Sequence, residues 1–426
     1  MTSSSIKREV QVALGEKALS LGKLTFVREG RREYSGFVYS QSWLTAPDRF
    51  EVSPDLPLTS SFLTRRAPSE VDSPFHFAFA DTVPDTWGRR VIQRAHAKRR
   101  ATDKTLGVLT AFDFLAAVDD FSRIGALRLV ATDGKFLGSS DKHRTPHLVD
   151  LGNIAAATRK VEKGTETTAD LEYLQGKGTS LGGLRPKCTL IDEGGTLAIG
   201  KFPSISDTRS VVRSEVLALH LLAHAGSIAA RSRAIVIDKA EVAVIERFDR
   251  KDMTLRIPYL SGGSFLQARR DEEHSYTELA DVIRQIGAEP VADLKELWRR
   301  LVINLLLTNV DDHLWNVGFL HDGQGKWRLS PAFDVNPFPD KDRESKTWLS
   351  PDTGPISSLE QLLAGASYFG LPRNEAEGIA GGIALKLADW REIALSKEVG
   401  LKEKDLQTLE PAFEHSEAFA ARSLAR

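Results

Sequence analysis

Up to about residue 70, short apolar runs alternate with glycine, serine and charged clusters, as in Val10-Gln11-Val12-Ala13-Leu14 and Phe37-Val38-Tyr39. Runs of that length bounded by turn-forming residues predict β-strands. The period changes near Trp87. Trp87, Val91 and Ile92 share one face, while Arg89, Arg90, Arg94, Lys98, Arg99 and Arg100 occupy the rest, which predicts a basic amphipathic helix ending near Arg100. Its charged face reads first as solvated surface and second as a partner or nucleic-acid patch. A short helix at 111–118 and a strand at 124–130 follow. Residues 133–147, rich in Gly, Ser, Asp, Lys and Pro, form the expected linker. Beyond it the pattern predicts strands near 187–202 and 233–247, a helix near 211–225, and mostly helices from 276 onward. Strands succeeded by a long helical run imply an α+β fold, with a small sheet lobe and a larger helical lobe. The expected division is 1–135 for a β-rich N-terminal domain and 148–426 for a second region, split into a sheet part (148–250) and a helical part (251–426).

Composition adds limits. The 426 residues suffice for two or three domains that each bury a core. A net charge of −1 argues against a nucleic-acid binder that works by bulk positive charge, while leaving room for a local basic patch. The single cysteine, Cys188, excludes an intrachain disulfide and a cysteine-rich zinc site. The apolar stretch around Leu305-Leu306-Leu307 is far short of the roughly 20 residues that span a bilayer. The start, Met1 to Glu9, lacks the apolar core of a signal peptide. A reducing cytoplasm, with no membrane association, is the expected setting.

The chemistry concentrates in Asn309-Val310-Asp311-Asp312-His313-Leu314-Trp315-Asn316 and Ser330-Pro331-Ala332-Phe333-Asp334. Phosphoryl transfer needs a base for a hydroxyl proton and oxygen ligands for Mg²⁺ on ATP. Asp311, Asn316 five residues later and Asp334 downstream fit that order. Asp311 by itself could equally be a turn or N-cap residue. Asp311, Asp312 and His313 cannot all face one ion on a regular element, so His313 is expected to orient the loop through hydrogen bonds to backbone or to Asp334. Upstream, residues 176–187 form a glycine-rich loop leading into a strand, carrying Ser180, Gly182, Gly183 and Lys187. Such a loop can bring backbone N–H groups to phosphates or can be a surface hairpin. Lys201 lies among apolar residues on the next strand and could reach phosphates; a lone strand lysine also often faces solvent at a sheet edge. Glu215 falls in the first turn of the following helix, where the helix dipole favours an anion, and a pairing with Lys201 is the sharper reading. Glu246, Arg247 and Phe248 end a strand that could serve as a hinge, its backbone hydrogen-bonding an adenine while Phe248 or Ile245 touches the ring. An apolar helix over 294–308 delivers the chain to Asp311.

Together these motifs resemble the HipA family of bacterial Ser/Thr protein kinases, the toxins of HipA–HipB toxin–antitoxin pairs. The resemblance runs through Ser53-Pro54-Asp55-Leu56-Pro57-Leu58, Asp81 to Arg90, Gly125-Ala126-Leu127, Ser180 to Lys187, Glu246 to Arg250, Asn309 to Asn316 and Phe333-Asp334-Val335. It implies a kinase-like bilobal fold, with Asp311 as catalytic base and Asn316 and Asp334 as Mg²⁺ ligands. It also implies nucleotide contacts from Gly182, Gly183, Lys187, Lys201, Glu246, Arg247, Phe248 and His313. Ser180 matches the site of inactivating autophosphorylation, where added negative charge would repel ATP phosphates. Implied partners are a helix-turn-helix antitoxin of HipB type, DNA only through that antitoxin, and a protein substrate such as an aminoacyl-tRNA synthetase. The sequence departs from the pattern at Trp315, where Lys or Arg often precedes the metal Asn. It also lacks the acidic run of some members after Arg256. The alternatives are a small-molecule phosphotransferase of aminoglycoside type and a non-catalytic nucleotide-binding co-repressor acting with the antitoxin.

Overall fold

The computed structural model describes residues 5–69, 71–139, 145–175, 183 and 185–425. The N-terminal alternation produces an antiparallel sheet of β1 (Ser5–Leu14), β2 (Leu19–Glu29), β3 (Arg32–Tyr39), β4 (Leu63–Arg66) and β5 (Leu127–Val130), in the order β4-β3-β2-β1-β5. Val10, Val12, Leu24, Phe26 and Phe37 point from it into the core, where Phe26 meets Phe75 and Phe112, each at 5.8 Å between ring centroids. The expected strand at 124–130 begins only at Leu127, because Gly125 donates its N–H to Asp249 at 2.7 Å, across to the second region.

The basic helix is present as Thr86–Thr102, capped by Asp85, whose side chain accepts from Gly88 N–H. Its charged face is more than solvated surface. Arg94 pairs with Glu166 at 2.8 Å, Lys98 donates to the Glu166 carbonyl, and Arg99 and Arg100 remain exposed. The apolar face, Trp87, Val91 and Ala95, packs with helix Leu151–Lys163 beneath a second antiparallel sheet. That sheet consists of β6 (Lys187–Ile191), β7 (Leu197–Lys201), β8 (Ser232–Ile237) and β9 (Ala240–Glu246), in the order β6-β7-β9-β8. Its strands β6, β7 and β9 are mostly buried, whereas β8 at the edge is only half-buried.

Helices dominate after residue 276, as the pattern predicts, but Gly318–Gly323 and Lys326–Leu329 form a hairpin among them. The helix expected at 294–308 runs Pro290–Leu306. It starts early because proline suits a first helical position, where no N–H partner is needed. It stops at a left-handed turn, Thr308 having φ 54°, which re-aims the chain toward Asp311. Asp81 joins the two regions: its buried carboxylate accepts from the Ser261 N–H and the Ser261 and Ser264 hydroxyls. No helix among the described residues is long and apolar enough to cross a membrane.

Candidate active site

Two sheet lysines begin the site. Lys187 and Lys201 lie opposite each other in the β6–β7 register and therefore share a face. Lys201 Nζ sits 2.6 Å from Glu215 Oε1 and 2.8 Å from Asp334 Oδ1. The sharper reading of Glu215 is thus the geometry found, and Lys201 does not face solvent. Burial opposes the Lys201 cation, but Asp334 and Glu215 outweigh it and hold its pKa above the usual lysine value. Burial pushes Glu215 up, whereas Lys201 and Lys187 overcome burial at Asp334 and keep it below the usual carboxylate range. Asp334 has φ 56°, the left-handed region that non-glycine residues avoid unless the surroundings impose it. Lys187 pairs with Asp85 of the N-terminal domain at 3.0 Å. Gly183 has φ +123°, a conformation L side chains rarely adopt, and a Cβ there would stand 2.7 Å from Lys187 Nζ. Gly182 and Ser180 lie outside the described residues.

These charges close one end of a cavity of about 500 Å³. Ile124, Ile199, Ile245, Phe248 and Phe333 form its apolar walls, with the last two rings 5.5 Å apart, and Glu246, Arg247 and Asp249 complete the lining. Such a shape, apolar with a few polar groups converging at one end, suits a planar ring carrying an anionic tail. Among the described residues the Phe248 backbone N–H has no hydrogen-bond partner, as a hinge donor to an adenine requires. Arg247 reaches the cavity edge, but its guanidinium points elsewhere, to Asp249 at 2.6 and 2.9 Å and to the Ser122 carbonyl at 2.6 Å. Asp249 also accepts from Arg250, whose guanidinium binds the Arg123 and Gly125 carbonyls. Burial would raise Asp249, yet Arg247 and Arg250 hold it far below the usual carboxylate value, while burial pushes Arg250 down to about 9. This joint brings Ile124 of the N-terminal domain into the cavity wall. Sequence reasoning missed Ile124, and nothing local signals it: the joint lies more than 120 residues away along the chain.

The acidic loop supplies the adjoining wall. Asn309 is tied back to Asn304 and accepts from the Asn336 N–H at 3.2 Å, which links the Asp311 and Asp334 segments. Asn316 Nδ2 donates to the Asp311 carbonyl at 3.0 Å, leaving its Oδ1 available as a ligand. The Asp311 carboxylate is 41% exposed and contacts Lys346 Nζ at 2.5 Å. Its neighbour Asp312 is buried, accepting from Lys346 N–H and the Tyr276 hydroxyl, and burial pushes it up to about 7. His313, Asn316 and Asp334 line a second cavity of about 430 Å³ behind the loop. Of the two hydrogen bonds expected of His313, to backbone or to Asp334, the one to Asp334 is not made. Nδ1 is buried with no partner among the described residues, and burial lowers the ring's pKa, so a neutral imidazole lines this cavity beside Asp334. An orphaned polar atom in that position fits a missing ligand group. One Asp and one Asn are also enough for Mg²⁺, which keeps waters and phosphate oxygens as its other ligands. Among the described residues no three His, Cys, Asp or Glu side chains cluster into a metal site of their own.

Residues 12–129 match the HipA N-terminal domain, and residues 179–391, half of the chain, match the HipA-like C-terminal domain. A Sinorhizobium fredii (strain NBRC 101917 / NGR234) protein named "Putative kinase Y4mE" is 25% identical over 328 residues, which cover 70% of this chain and 71% of that one. Among solved structures, a chain of the Shewanella oneidensis MR-1 toxin–antitoxin complex of HipA, HipB and operator DNA superposes with a TM-score of 0.67. That likeness covers 98% of this chain and 97% of the other at 18% identity, and it concerns the α+β fold.

Proposed function

The chain belongs to the HipA family, and from that premise we propose that it is a toxin kinase that phosphorylates serine or threonine in a protein target. The observation that carries this reading is Lys201, held between Glu215 and Asp334 at the charged end of an apolar cavity. That arrangement matches the strand-lysine, helix-glutamate and metal-aspartate arrangement of kinases. ATP with Mg²⁺ would supply the transferable γ-phosphoryl group. The ring would lie between Ile199, Phe248 and Phe333, with the Phe248 N–H as donor. Lys201 and Lys187 would offset phosphate charge, Asp334 and Asn316 would hold the ion, and neutral His313 would donate toward a phosphate oxygen. Asp311, at the exposed mouth, would accept the proton of the acceptor hydroxyl.

The HipB and operator DNA in the Shewanella complex support a helix-turn-helix antitoxin as partner, with DNA reached through it. Ser180 is the proposed autophosphorylation site. Incubation with radiolabelled Mg-ATP tests the reading. Label is expected on Ser180 and on serine or threonine of a protein in a lysate, falling about 10²–10⁴-fold in Asp311→Asn. A folded wild-type protein that binds Mg-ATP but labels neither itself nor any protein would overturn it, as would transfer confined to small alcohols.

A further inference from the structure

The Asn309–Asn316 loop contains no lysine or arginine, yet a cation stands on its first acidic side chain. It comes from 35 residues downstream: Lys346 Nζ lies 2.5 Å from Asp311 Oδ1. An exposed ion pair of this kind adds little to stability, about 0–1 kcal/mol, so stability alone does not account for the care with which it is placed. The backbone around it is stitched down. Lys346 N–H donates to Asp312 Oδ1 at 2.9 Å, and the Thr347 hydroxyl donates to the Asp312 carbonyl at 3.0 Å. Trp348 N–H donates to the His274 carbonyl at 3.0 Å, and Ser345 N–H to the Ile356 carbonyl at 3.0 Å. Asp312 is held in turn by the Tyr276 hydroxyl. The segment 345–348 therefore has one arrangement relative to the acidic loop, while the Lys346 side chain, 58% exposed, is left at the mouth beside Asp311.

We propose that Lys346 is a positioning residue for phosphoryl transfer, holding the Asp311 carboxylate in the orientation that receives the acceptor hydroxyl. The inference rests on the kinase reading above. In the transfer, the acceptor oxygen forms its bond to the γ-phosphorus as the bond to the β,γ-bridging oxygen breaks and ADP leaves. The hydroxyl proton passes to Asp311, and Lys346 keeps its own protons throughout. An ammonium fixed against one carboxylate oxygen directs the other oxygen to the hydroxyl and leaves a cation beside the transferring group.

The test uses the full-length protein and its autophosphorylation, followed by intact mass, in the wild type, Lys346→Arg, Lys346→Met and Lys346→Glu. Lys346→Met should lower the maximal rate about 10–100-fold, the scale of lost support to a directly acting group. The KM for ATP and the melting temperature should stay at wild-type values, Lys346→Arg should recover most of the rate, and Lys346→Glu should lose more than Met. Equal rates in all four proteins would overturn the proposal while leaving the kinase reading intact. So would a Met defect that appears only as a raised KM or lowered melting temperature. A wild type without any phosphoryl transfer would overturn both.

Discussion

Two buried charge clusters flank Phe248, and they differ in what they leave open. On one side Lys201 is shared by Glu215 and Asp334, a cation between two carboxylates at the wall of a cavity. On the other, Asp249 is shared by Arg247 and Arg250, an anion between two guanidiniums at the edge of the same cavity. The remaining donors of the arginine cluster go to carbonyls of Phe121, Ser122, Arg123 and Gly125, so it is closed by the backbone it clamps. Among the described residues Lys201 reaches only the two carboxylates and no backbone carbonyl. With the partnerless His313 Nδ1 nearby, the lysine cluster is the binding end of the proposed site, whereas the arginine cluster is a structural joint. Residue type and burial alone would not separate them; saturation of hydrogen-bonding capacity does.

The sharpest way to break this contrast is to remove the centre of each cluster. Lys201→Met should lower phosphoryl transfer by at least about 10²-fold, the scale of losing one group aimed at developing charge. It should cost less stability than Asp249→Asn, because Glu215, already pushed up by burial, can take a proton and Lys187 stays near Asp334. Asp249→Asn should do the opposite to stability. Two buried guanidiniums would lose their anion, with a penalty of about 3–5 kcal/mol in chemical unfolding. A Lys201→Met protein that unfolds as readily as Asp249→Asn would erase the distinction.

Acidity offers the next contrast. Asp312 has a folded pKa of about 7, above its unfolded value, so the folded state holds its proton more tightly. Its contribution is fully present below the unfolded pKa and is lost as pH rises toward 7. Asp249 is held below its unfolded value, so its contribution is present above that value and is lost as pH falls toward its folded pKa. Unfolding titrations between pH 4 and 8 should therefore show that Asp312→Asn flattens a decline in stability with rising pH. Asp249→Asn should leave that decline in place, and titrations carried below pH 4 should show it removing the loss of stability in acid.

The smallest expected effect is at the point where the joint touches the cavity. Ile124→Ala removes apolar contact from one wall, worth about 1–3 kcal/mol of binding, and should weaken ATP by roughly tenfold with the fold preserved. Unchanged affinity in a calorimetric titration would mean that the N-terminal domain forms no part of the nucleotide site.

Much of the site is legible in the chain because its residues sit at element ends with fixed spacing. Asp311 and Asn316 are held five residues apart by one loop, and Asp334 follows the intervening hairpin. Lys201 and Glu215 are legible as strand and helix residues, though only as weak expectations taken singly. Trp315, the departure from the family pattern, lies beside Gly263, where a Cβ would stand 2.7 Å from the indole, and under the Arg270 guanidinium. The place of Arg247 at the end of its strand is legible, whereas the direction of its guanidinium is not. Lys346 and Ile124 escaped entirely, since each meets its partner across a long stretch of chain.

The sequence by itself determined the α+β order of elements, the strand and helix that carry Lys201 and Glu215, and the loop that carries Asp311 and Asn316. These follow from local periodicity and spacing, which act over one or two turns of chain. Tertiary structure decided which charges meet at the end of the cavity, where a ligand is proposed, and which clamp a joint. Pairing of buried charges depends on what faces them from distant segments, and in a low-dielectric interior that choice of partner outweighs local preference.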